Sequence, residues 1–408
     1  MREGVTIAVY GLRLAAFAAG LASLVMPGAR AADWPEFRGP GGRGVAAGER
    51  IRTSWSETEG IAWKAELPGK SASSPIVVGD LVVTTASSGA RQDRLHVIAL
   101  DRATGSRRWE RTLWATGRTL CHPTSAVAAG TPASDGQRIV ALFSSCDLFC
   151  LDLAGRLLWQ RNLAVEHPRA GNDVGMGSSP RIIGDVVVVQ IDCQGEPFAK
   201  AIDLQTGDDR WSVARDRVAS WASPLACEAD GRAAVLLQNP NGLEVRALAD
   251  GSLAWSWPGD CAGIATTAVT DETLFVPADG IAAVPRGGRE PVWRAAKLSP
   301  GIASPVAWNG SVAVINRGGV LAVGDAADGG LRGQVRLAGS FWASPIVVGD
   351  TLVAINTEGK TFLVSTAERP EIVAENELPG TFTATPAVAG GSLYLRSETA
   401  LWKVAAPD

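Results

Sequence analysis

Short apolar runs recur along the chain, each closed within a few positions by Gly, Asp or Asn. LVVTTA at 81–86, VVVVQID at 186–192 and TLVAIN at 351–356 are examples. Runs this short, rich in β-branched residues and bounded by turn formers, predict buried strands rather than helices. Each run follows a Ser-Pro phrase that ends in a Gly-Asp-type turn. Each is followed by a second strand, a polar turn and a tryptophan. That last unit is plainest in DRATGSRRW (101–109), DLAGRLLW (152–159), DLQTGDDRW (203–211) and ADGSLAW (249–255).

The Ser-Pro phrase is itself repeated. SSPIVVGD at 73–80 returns almost unchanged as ASPIVVGD at 343–350, and six weaker copies lie between and after them. The anchor positions are Pro75, Pro132, Pro180, Pro224, Thr267 in place of a proline, Pro305, Pro345 and Pro386, spaced by 38 to 57 residues. A period near 40 to 50 residues with four short strands per unit predicts an all-β protein, an eight-bladed β-propeller of four-stranded antiparallel blades. Only 22 residues follow Pro386, enough for three strands. The missing fourth is GIAWKAELPG at 60–69, whose Trp63 has the context of the repeat tryptophans, so an N-terminal strand completes the last blade and closes the ring. Trp63, Trp109, Trp159, Trp211, Trp255 and Trp293 are expected to pack between neighbouring blades. The sixth and seventh blades have Gly333 and Ala374 at that place and are expected to be the loosest.

The composition of the 408 residues, 46% hydrophobic, 20% charged, with 46 Gly and 23 Pro, suits a well-buried chain of many strands and turns. The first 31 residues change the picture. Arg2 and Arg13 precede an apolar run from Leu14 to Met26, and Ala29-Arg30-Ala31 offers a small-x-small cleavage site. This is the pattern of a secretory signal peptide. The rival reading, an uncleaved anchor, needs about 20 apolar residues, more than the run supplies. The organisation expected is a signal peptide at 1–31, an arm laid over the ring surface at 32–59 and the propeller at 60–408, with a periplasmic or secreted location. Removal of residues 1–31 leaves a net charge of −6, with the charges scattered, which argues against a nucleic-acid partner. No later segment is apolar enough to span a membrane.

Six cysteines in an exported chain permit disulfides. Cys146 and Cys150 flank Asp147-Leu148-Phe149. If that triplet is a hairpin turn, the two thiols face each other as a candidate disulfide; otherwise they are small buried residues. No cysteines or histidines stand at metal-ligand spacing, and no metal site is expected.

The unit A-x-D-x-x-T-G-x-x-x-W, present as AIDLQTGDDRW at 201–211, resembles the repeat of PQQ-like, quinoprotein-type β-propellers. DWPEFRGPGGRGV at 33–45 is similar to the opening of the secreted PQQ-binding-like propellers. Among those relatives, quinone-dependent alcohol dehydrogenases carry a vicinal Cys-Cys disulfide, a calcium site of carboxylates and amides, and an aspartate base. This chain has no adjacent cysteines. The outer-membrane assembly propellers are lipid-anchored scaffolds, and this chain lacks their lipidated cysteine.

In a propeller, the loops entering the innermost strands ring one mouth of the central channel, where ligands sit. Those loops carry His122, Asn172, Asp173, Met176, Trp221, Phe341, Trp342 and Phe382 as candidate ligand- or partner-binding residues, with Asp192 and Glu196 as expected neighbours of Asp173. No G-x-S-x-G elbow, H-E-x-x-H helix or phosphate-cradling loop is present. The expectation is a non-catalytic, monomeric binding or scaffold module without a cofactor, with a protein or peptide partner. The alternative is an oxidoreductase holding PQQ and calcium at the same mouth.

Overall fold

A computed structural model describes Met1 and residues 33–366 and 369–407. The segment read as a signal peptide lies, apart from Met1, outside the described residues. The eight blades are there, each a four-stranded antiparallel sheet, here with strands a to d from the channel outward. They span residues 76–114, 133–162, 181–214, 225–258, 268–295, 306–336 and 346–377, and the eighth combines 387–404 with Ile61–Glu66. Its closing strand pairs antiparallel with Ala400–Val404, in the register Ile61 to Val404 and Glu66 to Ala400. Burial follows position. Inner strands such as Ile76–Val78 and Ile346–Val348 are wholly buried, whereas outer strands such as Arg107–Trp114 alternate toward solvent.

Tryptophan clamps explain why the sheets stand radially. Trp63 lies against Gly105 in the turn between strands c and d of the next blade, and its Nε1 donates to Arg102 O (3.1 Å). The same bond links Trp109 to Leu153 O (2.8 Å), Trp159 to Leu204 O (3.0 Å), Trp211 to Leu248 O (2.8 Å) and Trp293 to Ala326 O (3.2 Å). Gly105 has φ 72°, and a Cβ there would meet the Trp63 ring at 2.5 Å, so the turn needs glycine on both counts. The aspartate that opens the turn folds it. Asp101 Oδ1 accepts from the backbone N–H of Ala103 (3.0 Å) and Thr104 (2.8 Å), and the Thr104 N–H and hydroxyl together with Arg108 hold its carboxyl at about 2.

Three junctions depart from this pattern. Trp255 is buried but its Nε1 has no hydrogen-bond partner among the described residues. At Gly333, where a tryptophan is missing, Pro370 of the next blade closes in, so close that a Cβ on Gly333 would meet its Cδ at 2.7 Å. Beside Ala374, Trp55 fills the gap: it is 4% exposed in the core shared by blades 7, 8 and 1. Its backbone N–H donates to Asn376 Oδ1 (2.7 Å). Trp55 and Pro370 thus occupy the junctions at which looseness was expected.

The arm corrects the expectation most. Instead of lying over the surface, residues 33–49 run round one end of the channel and meet the inner strands in order. Trp34 and Val77 of blade 1 exchange backbone bonds (2.9 Å each way), and Pro35 O accepts from Ser134 N–H of blade 2 (2.8 Å). Glu36 pairs with Arg181 of blade 3 (2.9 Å), Gly42 sits on Leu225 of blade 4, and Arg43 pairs with Asp271 of blade 5. Gly44 lies beside Val306 of blade 6. Val45–Ala46 adds a parallel fifth strand to blade 7, and Glu49 Oε2 accepts from Gly391 N–H of blade 8 (2.8 Å). The arm therefore caps inner-strand edges that would otherwise be open.

The cysteine pair is a second correction. The hairpin turn lies at 143–146, with Cys146 N–H donating to Phe143 O, and 147–149 are strand residues. Cys150 is therefore mid-strand, and all six cysteines are free. Burial pushes the thiols of Cys146 and Cys150 up to about 12, which makes them unreactive.

Candidate functional site

The end of the channel opposite the arm is a blind well of about 360 Å³. Its wall is built from one residue of each blade, the hydroxyl that precedes the anchor proline or its replacement. Ser74, Thr131, Ser179 and Ser223 supply half of the circle. Thr266, Ser304, Ser344 and Thr385 supply the rest. In seven cases the backbone N–H of one ring residue donates at 3.0 Å to the hydroxyl oxygen of the next blade's, from Ser74 to Thr131 round to Ser344 to Thr385. This stitches the inner strands together where no strand-to-strand ladder exists. The signal was present in the sequence as Ser or Thr before every anchor position.

Above the hydroxyls stand Trp221, Trp342, Val174, Ile264 and Ile302, and Phe37 of the arm reaches the well from the closed end. Trp221 is held by Nε1 donating to Gly175 O (2.8 Å) and by its backbone N–H donating to Gly263 O (2.6 Å). His122 is exposed at the rim, 6.4 Å from the Trp342 ring between centroids, with Nδ1 2.7 Å from Thr124 Oγ1. Val174 and Ile264 are 42% and 41% exposed, an apolar lip of the kind that marks contact surfaces.

Of the eight residues proposed from sequence, His122, Trp221 and Trp342 line this well, and five do not. Phe341 turns away from its neighbour Trp342 into the core of blades 6 and 7, 6.0 Å from Phe362. Phe382 is fully buried and Met176 is 4% exposed, both in core clusters. Asn172 donates to Asp192 O (3.1 Å), a bond internal to the fold. Asp173 is exposed and pairs with Arg118 (2.7 Å). Its expected neighbours have partners of their own. Asp192 is buried against Arg215 (3.0 Å), its carboxyl pushed up by burial, and Glu196 meets His167 (3.1 Å). Sequence reasoning missed the hydroxyl ring, Phe37, Val174, Ile264 and Ile302.

The residues present do not fit a calcium-bound quinone. No carboxylate lines the well, no two cysteines are adjacent, and among the described residues no group of three His, Cys, Asp or Glu could hold a metal ion.

Residues 39–257, a little over half of the chain, match the family model described as outer membrane protein assembly factor BamB. Among solved structures, BamB from Moraxella catarrhalis is 18% identical, with a TM-score of 0.62 over 84% of this chain and 96% of that one. A europium-containing methanol dehydrogenase is 12% identical, with a TM-score of 0.69 over 91% of each chain. The quinohemoprotein alcohol dehydrogenase of Comamonas testosteroni is 13% identical, with a TM-score of 0.67 over 93% of this chain and 82% of that one. No curated protein matches the chain significantly. At these identities the structural likeness carries the fold and nothing finer. With its family model matched over more than half its length, this chain belongs to the PQQ-like propeller family described as outer membrane protein assembly factor BamB.

Proposed function

We propose that the chain is an exported, non-catalytic, monomeric propeller that binds a protein or peptide partner at the open mouth of its channel. The observation that carries this reading is the asymmetry of the channel. One end is filled by the chain's own arm, while the other leaves Trp221, Trp342 and the exposed lip of Val174 and Ile264 facing outward. A rigid ring that carries an apolar, aromatic concavity and no paired acid and base suits recognition rather than turnover. The description of the matched family supports the same reading, since an assembly factor acts through partners. Export is supported by the charged-apolar-small pattern of residues 1–31. Among the described residues no helix is long and apolar enough to cross a membrane.

The test is a double substitution at the lip, Val174→Asp with Ile264→Asp. Both side chains are exposed, so the thermal midpoint should stay within about 2 °C of the parent for a change of roughly 0.5 kcal/mol in a chain this large. Partner capture should be lost. Undiminished capture by the double variant contradicts the reading. Titration with pyrroloquinoline quinone and calcium should give neither an absorbance change nor stabilisation, whereas a saturable rise in midpoint would restore the oxidoreductase alternative.

A further inference from the structure

The well has a chemical preference as well as a shape. Its eight hydroxyl residues are each between 2% and 5% exposed. Seven of the oxygens accept one N–H, and among the described residues they make no further hydrogen bond, which leaves their own hydrogens to be donated. Ser74 goes further: it lines the well, and among the described residues its Oγ makes no hydrogen bond. These O–H groups line the well, so a ligand that brings acceptor oxygens can take up their hydrogens.

Charge points the same way. Among the described residues, the only titratable side chain lining the well is His122, at its rim. Behind the hydroxyls lies the Arg38 guanidinium, 1% exposed, donating to Thr267 O (3.2 Å) and Pro305 O (2.5 Å). Those carbonyls belong to the residues that directly follow Thr266 and Ser304 of the ring. Among the described residues Arg38 has no carboxylate partner and its Nε is unbonded, because the nearby carboxylate, Glu36, is taken by Arg181 at 2.9 Å. Two guanidinium groups and one carboxylate leave a net positive charge beneath a circle of donors. Such a place attracts an anion, and low-dielectric walls strengthen the attraction. The collar of Trp221, Trp342, Ile264 and Ile302 accepts an apolar body, and 360 Å³ is at the small end of ligand sites.

We propose that the well binds a single carboxylate carried on a compact apolar or aromatic body, seated with the carboxylate toward the hydroxyl ring. The body is either a free acid or the C-terminal residue of a partner chain, and only the second form rests on the mouth being the partner face.

The experiment is calorimetric titration of the full chain with indole-3-acetate and its neutral isostere indole-3-acetamide. A short peptide ending in Phe, with a free and with an amidated C-terminus, supplies the second pair. Each charged probe should bind one to one and at least tenfold more tightly than its amide. Ser74→Ala removes a hydroxyl that makes no bond to the other described residues, so it should weaken the acid three- to tenfold and leave the thermal midpoint unchanged. Arg38→Met should bring the acid down to the affinity of the amide. If that variant does not fold, Ser74→Ala carries the test alone.

Tighter binding of the free-terminus peptide than of indole-3-acetate assigns the site to a chain terminus; the reverse assigns it to a small acid. Equal affinity for acid and amide, or no binding of either charged probe at millimolar concentration, overturns the proposal. Loss of partner capture in the lip variant alongside such a result would remove only the carboxylate claim and leave the mouth as the partner face.

Discussion

The two ends of the channel are made from the same eight inner strands, yet they end differently. At the closed end the chain supplies its own filling. Trp34, Glu36 and Arg38 are drawn into the ring, inner-strand edges find partners, and a buried ion pair joins the arm to blade 3. At the open end the hydroxyl oxygens accept from one another's backbones and line the well together with the aromatic rings. The contrast separates residues that hold the ring from residues that only face outward. Substitutions at the first end should cost stability, and those at the second should cost binding.

The largest effect expected is at the closed end. Glu36→Ala leaves the buried Arg181 without its carboxylate and adds a second uncompensated charge beside Arg38, which should destabilise the fold by about 3 to 5 kcal/mol in urea unfolding. A loss below about 1 kcal/mol would mean that the arm is not part of the cooperative structure.

Trp211→Ala comes next, at roughly 3 to 5 kcal/mol for a large buried side chain. Trp255→Ala should cost about 1 kcal/mol less, because Trp211 Nε1 bonds to Leu248 O whereas Trp255 Nε1 has no partner to lose. Equal losses would show that the clamp's hydrogen bond contributes nothing.

Trp342→Ala, at the mouth, should change stability by no more than about 1 kcal/mol while abolishing partner binding. A large loss of stability there would erase the distinction between the two ends.

The smallest effect concerns acid. The turn carboxyl of Asp203 is held at about 2 by Arg210 first and then by the backbone N–H groups of Thr206 and Gln205. Because the folded value lies below the unfolded one, the stabilisation is present above the ordinary carboxylate range and is lost as pH falls toward 2. Asp203→Asn should therefore lower stability at pH 7 and match the parent near pH 2, as read by denaturant midpoints at the two pH values.

Much of the ring was legible because its interactions repeat. Each D-x-x-T-G turn lies one blade on from the tryptophan it receives, so clamp and period are written together, and Trp63 betrays the closing strand by standing where a repeat tryptophan should. The arm was not legible for the opposite reason. DWPEFRGPGGRG has no period, and its partners, from Val77 to Val347, lie up to several hundred residues away. The mouth was half legible. Proximity to the anchor proline locates Phe341 and Trp342 equally well, but neighbouring residues of an extended loop face opposite ways, and only Trp342 turns to the well. The Cys146 and Cys150 pairing failed on a shift of the turn by a few residues, which moved Cys150 to mid-strand.

The central claim is that one end of the channel is closed by the chain itself and the other is the contact face. Photo-crosslinking side chains placed one at a time at Val174 and Ile264 on the lip, and at Asp80 and Asp185 on the hairpins of the closed end, test it most directly. All four tolerate exposure to solvent. The account predicts partner adducts from positions 174 and 264 and none from 80 and 185. Adducts from the closed end, or from both ends equally, would contradict it.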